Sequence, residues 1–167
     1  MTRLLSEVQA MQNPALGAAL IWRFACSYAP QKDAHNGVPF VLAFVVLPVV
    51  LHEQTRKEVI ATRASSGARK FEDKFNERGK ERGDVLYALN NRAISMRGLS
   101  ISSVRHALAS GLLTLVPERG LLWPRSYSNP PVDAPPVTEL LNAAEKLGNW
   151  CRSLSVYEIS GILRVEF

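Results

Sequence analysis

The chain has 167 residues, a formal net charge of +5, 47% hydrophobic and 21% charged residues. That length suits one domain with a sizeable core, and the apolar-to-charged balance excludes wholesale disorder. Two cysteines, Cys26 and Cys151, stand far apart and outside any CxxC pair, which excludes zinc-finger spacing and a disulfide framework.

Residues 1 to 7 lack the apolar stretch that a secretory signal needs, so a cytoplasmic protein with reduced thiols is expected. Residues 4–12 read as a short amphipathic start. Asn13-Pro14 then opens a helix, because Asn is a good N-cap and Pro suits the first helical position. The helix runs to about Tyr28, with Leu16, Leu20, Phe24, Ala19, Trp22 and Cys26 spreading apolar surface over almost every side, so it is expected to be buried. Arg23 is the exception, and in such a setting its charge needs a carboxylate, a carbonyl or a protein neighbour.

Pro30 to Gly37 is a polar loop. Val38 to Leu51 is the longest apolar run, too short to span a bilayer, which takes about 20 residues; within it, Pro39 to Leu51 has the length of a helix and the β-branched content of a strand, and a core helix bent near Pro48 is the favoured reading. Thr55 with Glu58 matches a capping box and predicts a short helix after it. Further helices are expected from Ser65 to Gly79, with Phe71 and Phe75 on one face, and from Asp84 to Met96, ended by Gly98. Ser100 is expected to cap a helix that ends at Gly111. Strands follow at 112–116 and 121–124 around the turn Pro117-Glu118-Arg119-Gly120. The 84–96 helix, the next helix and the hairpin together predict a helix-turn-helix with a β wing. Ser128 to Pro136, with four prolines, reads as a stiff linker. A helix from Val137 to Leu154, a turn capped by Ser155 and stopped at Gly161, and a short strand from Leu163 to Phe167 complete the chain.

The fold class expected is therefore mainly α with a small β-hairpin wing, a winged-helix-like α+β single domain. Its parts are a buried helical portion at 1–62, a winged-helix-like unit at 65–126, and a C-terminal helix and strand at 137–167 that pack back on the core. Charge is unevenly spread: Glu53 to Arg105 carries 12 Lys/Arg against 7 Asp/Glu, and the rest carries equal numbers. The middle of the chain is where an acidic partner or nucleic acid would be met.

No constellation for catalysis emerges. Phosphate-binding loops, dinucleotide fingerprints and HExxH are missing, and His35, His52 and His106 fall on three separate predicted elements. His52 and Glu53 are adjacent, and adjacent helical residues do not face each other. Neither catalytic residues, nor a cofactor, nor a metal site is expected, and the chain reads as a non-enzyme.

Asn13-Pro14-Ala15-Leu16-Gly17-Ala18-Ala19-Leu20-Ile21-Trp22-Arg23-Phe24 resembles the N-terminal signature of the middle-component proteins of three-component ABC systems, families related to the small subunit of Lamassu anti-phage defence. Pro39 to His52, followed by Thr55-Arg56, resembles the family's second block. Glu145 to Trp150 and Ser155 to Val165 resemble its C-terminal block. The resemblance implies an adaptor that bridges an SMC-like ABC ATPase to an effector, often a nuclease, and restrains the effector until foreign DNA is sensed. The nucleotide site would then belong to the ATPase partner.

Trp22, Arg23, Arg56, Trp123 and Trp150 are the candidate partner-interface residues, since Trp and Arg dominate interface energetics. In the alternative reading, a stand-alone winged-helix DNA-binding regulator, the 100–110 helix enters the major groove. Ser100, Ser102, Ser103, Arg105 and His106 would then approach bases or phosphates, with Arg119 on the wing. Arg105 is the only Arg or Lys in that helix, which weakens the DNA reading.

Overall fold

The computed structural model describes residues 12–33, 36–77, 80–128 and 134–167. The amphipathic start expected at 4–12 lies almost wholly outside them, as do His35 and most of the proline-rich linker.

Helix α1 (Pro14–Tyr28) starts as its sequence dictates: the Asn13 side chain accepts from Ala15 N at 2.9 Å and Pro14 occupies the first turn. It is the centre of the molecule. Gly17, Ala18, Leu20, Ile21, Trp22, Phe24, Ala25 and Cys26 are all buried. The apolar run after Gly37 is not one helix. Its first two residues form strand β1 (Val38–Pro39), a 3-10 turn covers Phe40–Leu42, and only then does α2 (Ala43–Val50) begin. Pro39 can take a strand position because it sits on the edge of its sheet. Pro48 lies inside α2, and the helix ends two residues later. Nearly every side of α2 is buried.

Helix α3 (Glu53–Ala61) begins earlier than the Thr55 capping box would allow. Its N-cap is His52, whose Nδ1 accepts from Thr55 N at 3.5 Å. Thr55 is instead fully buried and donates its hydroxyl to the Val49 carbonyl at 2.6 Å, tying α3 to the end of α2. Helix α4 (Gly67–Glu77) places Phe71 and Phe75 5.0 Å apart, edge to face, in the core. Helix α5 (Lys80–Ser95) buries Leu86, Leu89 and Ala93.

Helix α6 runs Arg97–Ala109, so Gly98 does not break a helix and Ser100 does not cap one. The joint with α5 is Met96 alone (φ −93°, ψ 4°). Gly111 ends α6 with φ +75°, and Leu112 N reaches back to the Ala107 carbonyl at 2.9 Å, a closure that needs left-handed backbone. Strands β2 (Leu113–Val116) and β3 (Leu121–Pro124) form the expected hairpin, with Leu115 opposite Leu122.

The strand order is β1-β3-β2, antiparallel throughout, with Val38 opposite Leu122 and Pro39 opposite Leu121. The wing therefore gains a third strand from before α2, and the sheet joins residues on both sides of position 65. The order α1, β1, α2, then α6, β2, β3 is that of a winged helix, with α3–α5 inserted between its second and third helices. The helix-turn-helix pairing expected between 84–96 and 100–110 is corrected accordingly. The main neighbours of α6 are α1 and α2, because its inner side carries the small residues Ser100, Ser103 and Ala107, and Gly17 of α1 fits against Ser103.

Helix α7 (Pro135–Cys151) covers the other side of α1, and α8 (Val156–Leu163) packs against α4. A full capping box starts α8: Ser155 Oγ accepts from Glu158 N, and Glu158 Oε2 accepts from Ser155 N. Gly161 does not stop it. The helix runs on to Leu163 and ends at Arg164, which takes the left-handed conformation (φ 55°). The last residues form no strand. They lie along α5, where Glu166 N donates to Asn90 Oδ1 at 3.1 Å. The whole is one mainly helical domain with a small antiparallel sheet, and no helix among the described residues is long and apolar enough to cross a membrane.

Candidate partner interface

Four of the five residues singled out for an interface are engaged within the chain. Trp22 is 2% exposed and its indole N–H donates to the Ser126 carbonyl at 2.8 Å, pinning the segment after the hairpin to α1. Trp150 is 3% exposed, donates to the Ala64 carbonyl at 3.1 Å, and stacks at a tilt on Phe71. Arg23 answers the problem its setting posed by pairing with Glu145 of α7, Nη2 to Oε2 at 2.7 Å. Arg56 donates through Nη1 to the Val50 and Leu51 carbonyls at 3.1 and 3.3 Å, closing the end of α2, and pairs through Nε with Glu139. These side chains staple α1, α2, α3 and α7 together. Trp123, on β3, is half-buried, its ring laid so closely over Gly37 that a Cβ there would sit 2.6 Å from it.

The helix faces that do meet solvent lie elsewhere. Ser102, Arg105 and His106 are exposed on α6, and Arg119 is exposed on the hairpin turn. Ser100 and Ser103, assigned to the same face in the DNA reading, are fully buried against the core instead. Three large apolar side chains that the sequence reading left out of the interface stand on the outer surface of α5 and α6: Tyr87 at 64%, Ile94 at 54% and Ile101 at 41% exposure. Their signal was present, as a spacing of seven residues out of step with the buried set Leu86, Leu89 and Ala93. Between Glu81 and Glu118 the only acidic residue in the sequence is Asp84, and from the C-terminal end Glu166 is brought against Asn90 of α5.

Chemistry-bearing groups are dispersed. Among the described residues no group of three or more His, Cys, Asp or Glu is placed to hold a metal. His52 has its pKa lowered by burial and then by the nearby charges of Arg92 and Arg56, which favours the neutral imidazole whose Nδ1 caps α3. Both cysteines are free and buried, and burial pushes each thiol up to about 12, far from the thiolate needed for reactivity. Two open clefts, of about 560 and 540 Å³, adjoin along α7 and share Ala64, Asn149 and Arg152. Lys146, in one of them, is spent on the carbonyls of Ile60 and Thr62 at 2.8 and 2.9 Å.

A basic, mainly helical, winged-helix-like domain whose outer helices present apolar side chains among arginines defines the class: a domain organised around its exposed helix surface. The chain belongs to the family described as ABC-three component (ABC-3C) system Middle Component 3, whose model matches residues 1–167. No curated protein and no solved structure matches the chain.

Proposed function

We propose that this middle component is a non-enzymatic adaptor of the cytoplasm, bridging an SMC-like ABC ATPase and an effector, a nuclease, and restraining that effector until foreign DNA is sensed. The observation that carries the reading is the match of the whole chain, end to end, to a middle-component family. The described surface is in keeping with it. Arg23, His52, Arg56 and Lys146 are tied up in capping and stapling helices, and the large exposed apolar groups Tyr87, Ile94 and Ile101 lie on helices, where one protein reads another. Relation to the small subunit of Lamassu defence systems is part of the same proposal, and rests on the N-terminal, second and C-terminal blocks that resemble that lineage.

The test is co-expression of the chain with the two other components of its own system. A complex of all three that survives gel filtration, and a nuclease that becomes unregulated when this chain is deleted, is the expected result. A chain that stays alone beside soluble companions refutes the adaptor reading. DNA binding by the isolated chain supplies the competing outcome: phosphate contacts would appear as a log–log salt slope of about −0.9 per contact. The exposed Ser102, Arg105, His106 and Arg119 are the groups that would produce it.

A further inference from the structure

We infer that the outer face of α5 and α6 is a docking seat for an amphipathic helix with acidic flanks, supplied by another component of the same system; this rests on the adaptor reading. Tyr87, Ile94 and Ile101 follow one another at intervals of seven, which on a helix is 20° short of two turns and about 10 Å of rise. Tyr87 and Ile94 form a stripe roughly 10 Å long on α5, and Ile101 adds an exposed apolar group on α6 just beyond the joint. The helices meet at Met96, where Met96 N donates to the Arg92 carbonyl to end α5 and Ser100 N donates to the Met96 carbonyl to start α6, each at 2.9 Å. Both helices also pack inward on α2.

Three further features say what covers the stripe. Gly98 lies between Ile94 and Ile101, is exposed, and has nothing within 4 Å of where a Cβ would stand. Nothing inside the fold asks for a glycine there, and glycine is a poor helix former. Its use at that position leaves a floor on which a second helix can approach closely, flanked by an isoleucine on either side. Cations border these groups at both ends: Arg97 and Arg105 are exposed on α6, and the Arg164 guanidinium, which also donates to Asn76, sits 4.2 Å over the Tyr87 ring, with Glu166 beside it at Asn90. A seat lined with aliphatic and aromatic groups and edged with arginines matches a helix with an apolar stripe and Glu or Asp beside it.

The same features disfavour the other occupants. A second copy of this chain would set arginines against arginines across a two-fold axis. Nucleic acid would leave Ile94 and Ile101, in the middle of the seat, without a hydrogen-bonding or ionic partner.

The experiment pairs two double variants with a crosslinking probe, using the full chain and each companion component of its own system. Ile94→Ser with Ile101→Ser removes the apolar stripe, and Arg97→Glu with Arg105→Glu reverses its border. All four side chains are exposed, so circular dichroism and melting should match the native chain. Each pair should weaken binding to one companion by tenfold or more, the loss from the charge-reversed pair shrinking at high salt. A photo-crosslinking residue at Ile94 or Ile101 should attach to a helical, acid-flanked segment of that companion, while one at Tyr157, 88% exposed on α8, should not. Native affinity for both companions in both variants overturns the docking seat and leaves the adaptor reading standing. Crosslinks that run to a second copy of this chain, or to a short DNA duplex, overturn it in favour of those occupants. If the native chain binds neither companion, the adaptor reading falls and the seat with it.

Discussion

Replacing Gly148 by alanine tests the packing on which the whole domain rests. Gly148 lies where α7 crosses α1, and a Cβ added there would stand 2.2 Å from Ser27 Oγ and 2.3 Å from the Phe24 carbonyl oxygen. Ordinary contact begins near 3.4 Å, so the two helices must separate by about 1 Å, since an oxygen of the main chain cannot swing aside as a side chain can. Helix α1 has little room to retreat. Ten residues before Ser27, a Cβ at Gly17 would meet Ser103 Oγ at 2.0 Å and Leu47 at 3.2 Å, so α1 is held closely against α6 and α2 as well. Overpacking of this kind costs about 1–3 kcal/mol. The Ser27 hydroxyl, which donates to the Glu145 carbonyl at 2.6 Å, would also lose its bond, worth about 1 kcal/mol. Against this, alanine gains about 1 kcal/mol of helix propensity over glycine. With α1 blocked, the upper end of the range applies, and Gly148→Ala should cost about 3 kcal/mol. For a chain of this size that is a fall in Tm of roughly 6–12 °C. Thermal melts followed by circular dichroism measure it. Gly161→Ala is the control, because nothing lies within 4 Å of its Cβ position and it sits in α8; it should raise Tm by about 2 °C. Ser27→Gly combined with Gly148→Ala clears the hydroxyl and leaves the Phe24 oxygen, so rescue should be partial. A Gly148→Ala chain that melts at or above the native temperature would show that α1 and α7 do not approach so closely.

Trp22→Ala should destabilise by about 3–5 kcal/mol, as large buried aromatics do, while Trp22→Phe should retain most of that and forfeit the bond to Ser126; urea titration separates the two. Stability should decline as the pH falls below about 6.5, because the folded state holds the pKa of His52 under its unfolded value and the unfolded chain takes up the proton first. His52→Asn keeps a capping oxygen for Thr55 N and should flatten that decline in melts between pH 5 and 7.5; an unchanged slope removes His52 as its source. Native Cys26 and Cys151 should not react with a thiol reagent on a timescale of minutes, and both should react once the chain is unfolded in guanidinium. Rapid native labelling of Cys151 would mean that the centre of the domain opens readily.

What could be read in advance was local. The Asn13-Pro14 start, the wide apolar surface of α1, the β2–β3 hairpin and the Phe71–Phe75 pair all depend on neighbours within a turn or two, and each stands in the structure. Some errors come from a partner far away in the chain, others from competition among near neighbours. Pro39 reads as the front of the favoured helix until β3 pairs with it, a pairing over more than eighty residues. Thr55 looks like a cap because its side chain suits one, but its hydroxyl is claimed by the Val49 carbonyl and the role passes to His52. Gly161 looks like a stop, yet in α8 it simply remains helical while Arg164 takes the left-handed turn. Trp22, Arg23, Arg56 and Trp150 are of the residue types that mark interfaces, and the same types close gaps between helices of one chain; composition cannot separate the two uses. The exposed stripe escaped notice for the converse reason, since an isoleucine on a helix is read as core unless its register is compared with that of the buried positions.

The winged-helix-like order sets where α6 presents its outer side, and in DNA-binding helix-turn-helix proteins the recognition helix enters the major groove. Order alone does not choose the partner; the side chains do. A groove-reading helix needs groups that donate to base edges and phosphates along its exposed length, and the inner serines, Ser100 and Ser103, are turned into the core and cannot serve. What remains outward is Arg97, Gly98, Ile101, Ser102, Arg105 and His106, preceded by Ile94 and Tyr87 on α5. Two arginines would neutralise few phosphates, and the isoleucines would be stripped of water with nothing gained from a polar groove. Against a helix, the isoleucines find apolar neighbours, the glycine admits the backbone, and the arginines meet carboxylates at the edge. The same fold position that serves DNA readers elsewhere is better suited here to gripping a protein, and the serine and charge-reversal pairs, which act on different terms of that grip, should each loosen it without disturbing the core beneath.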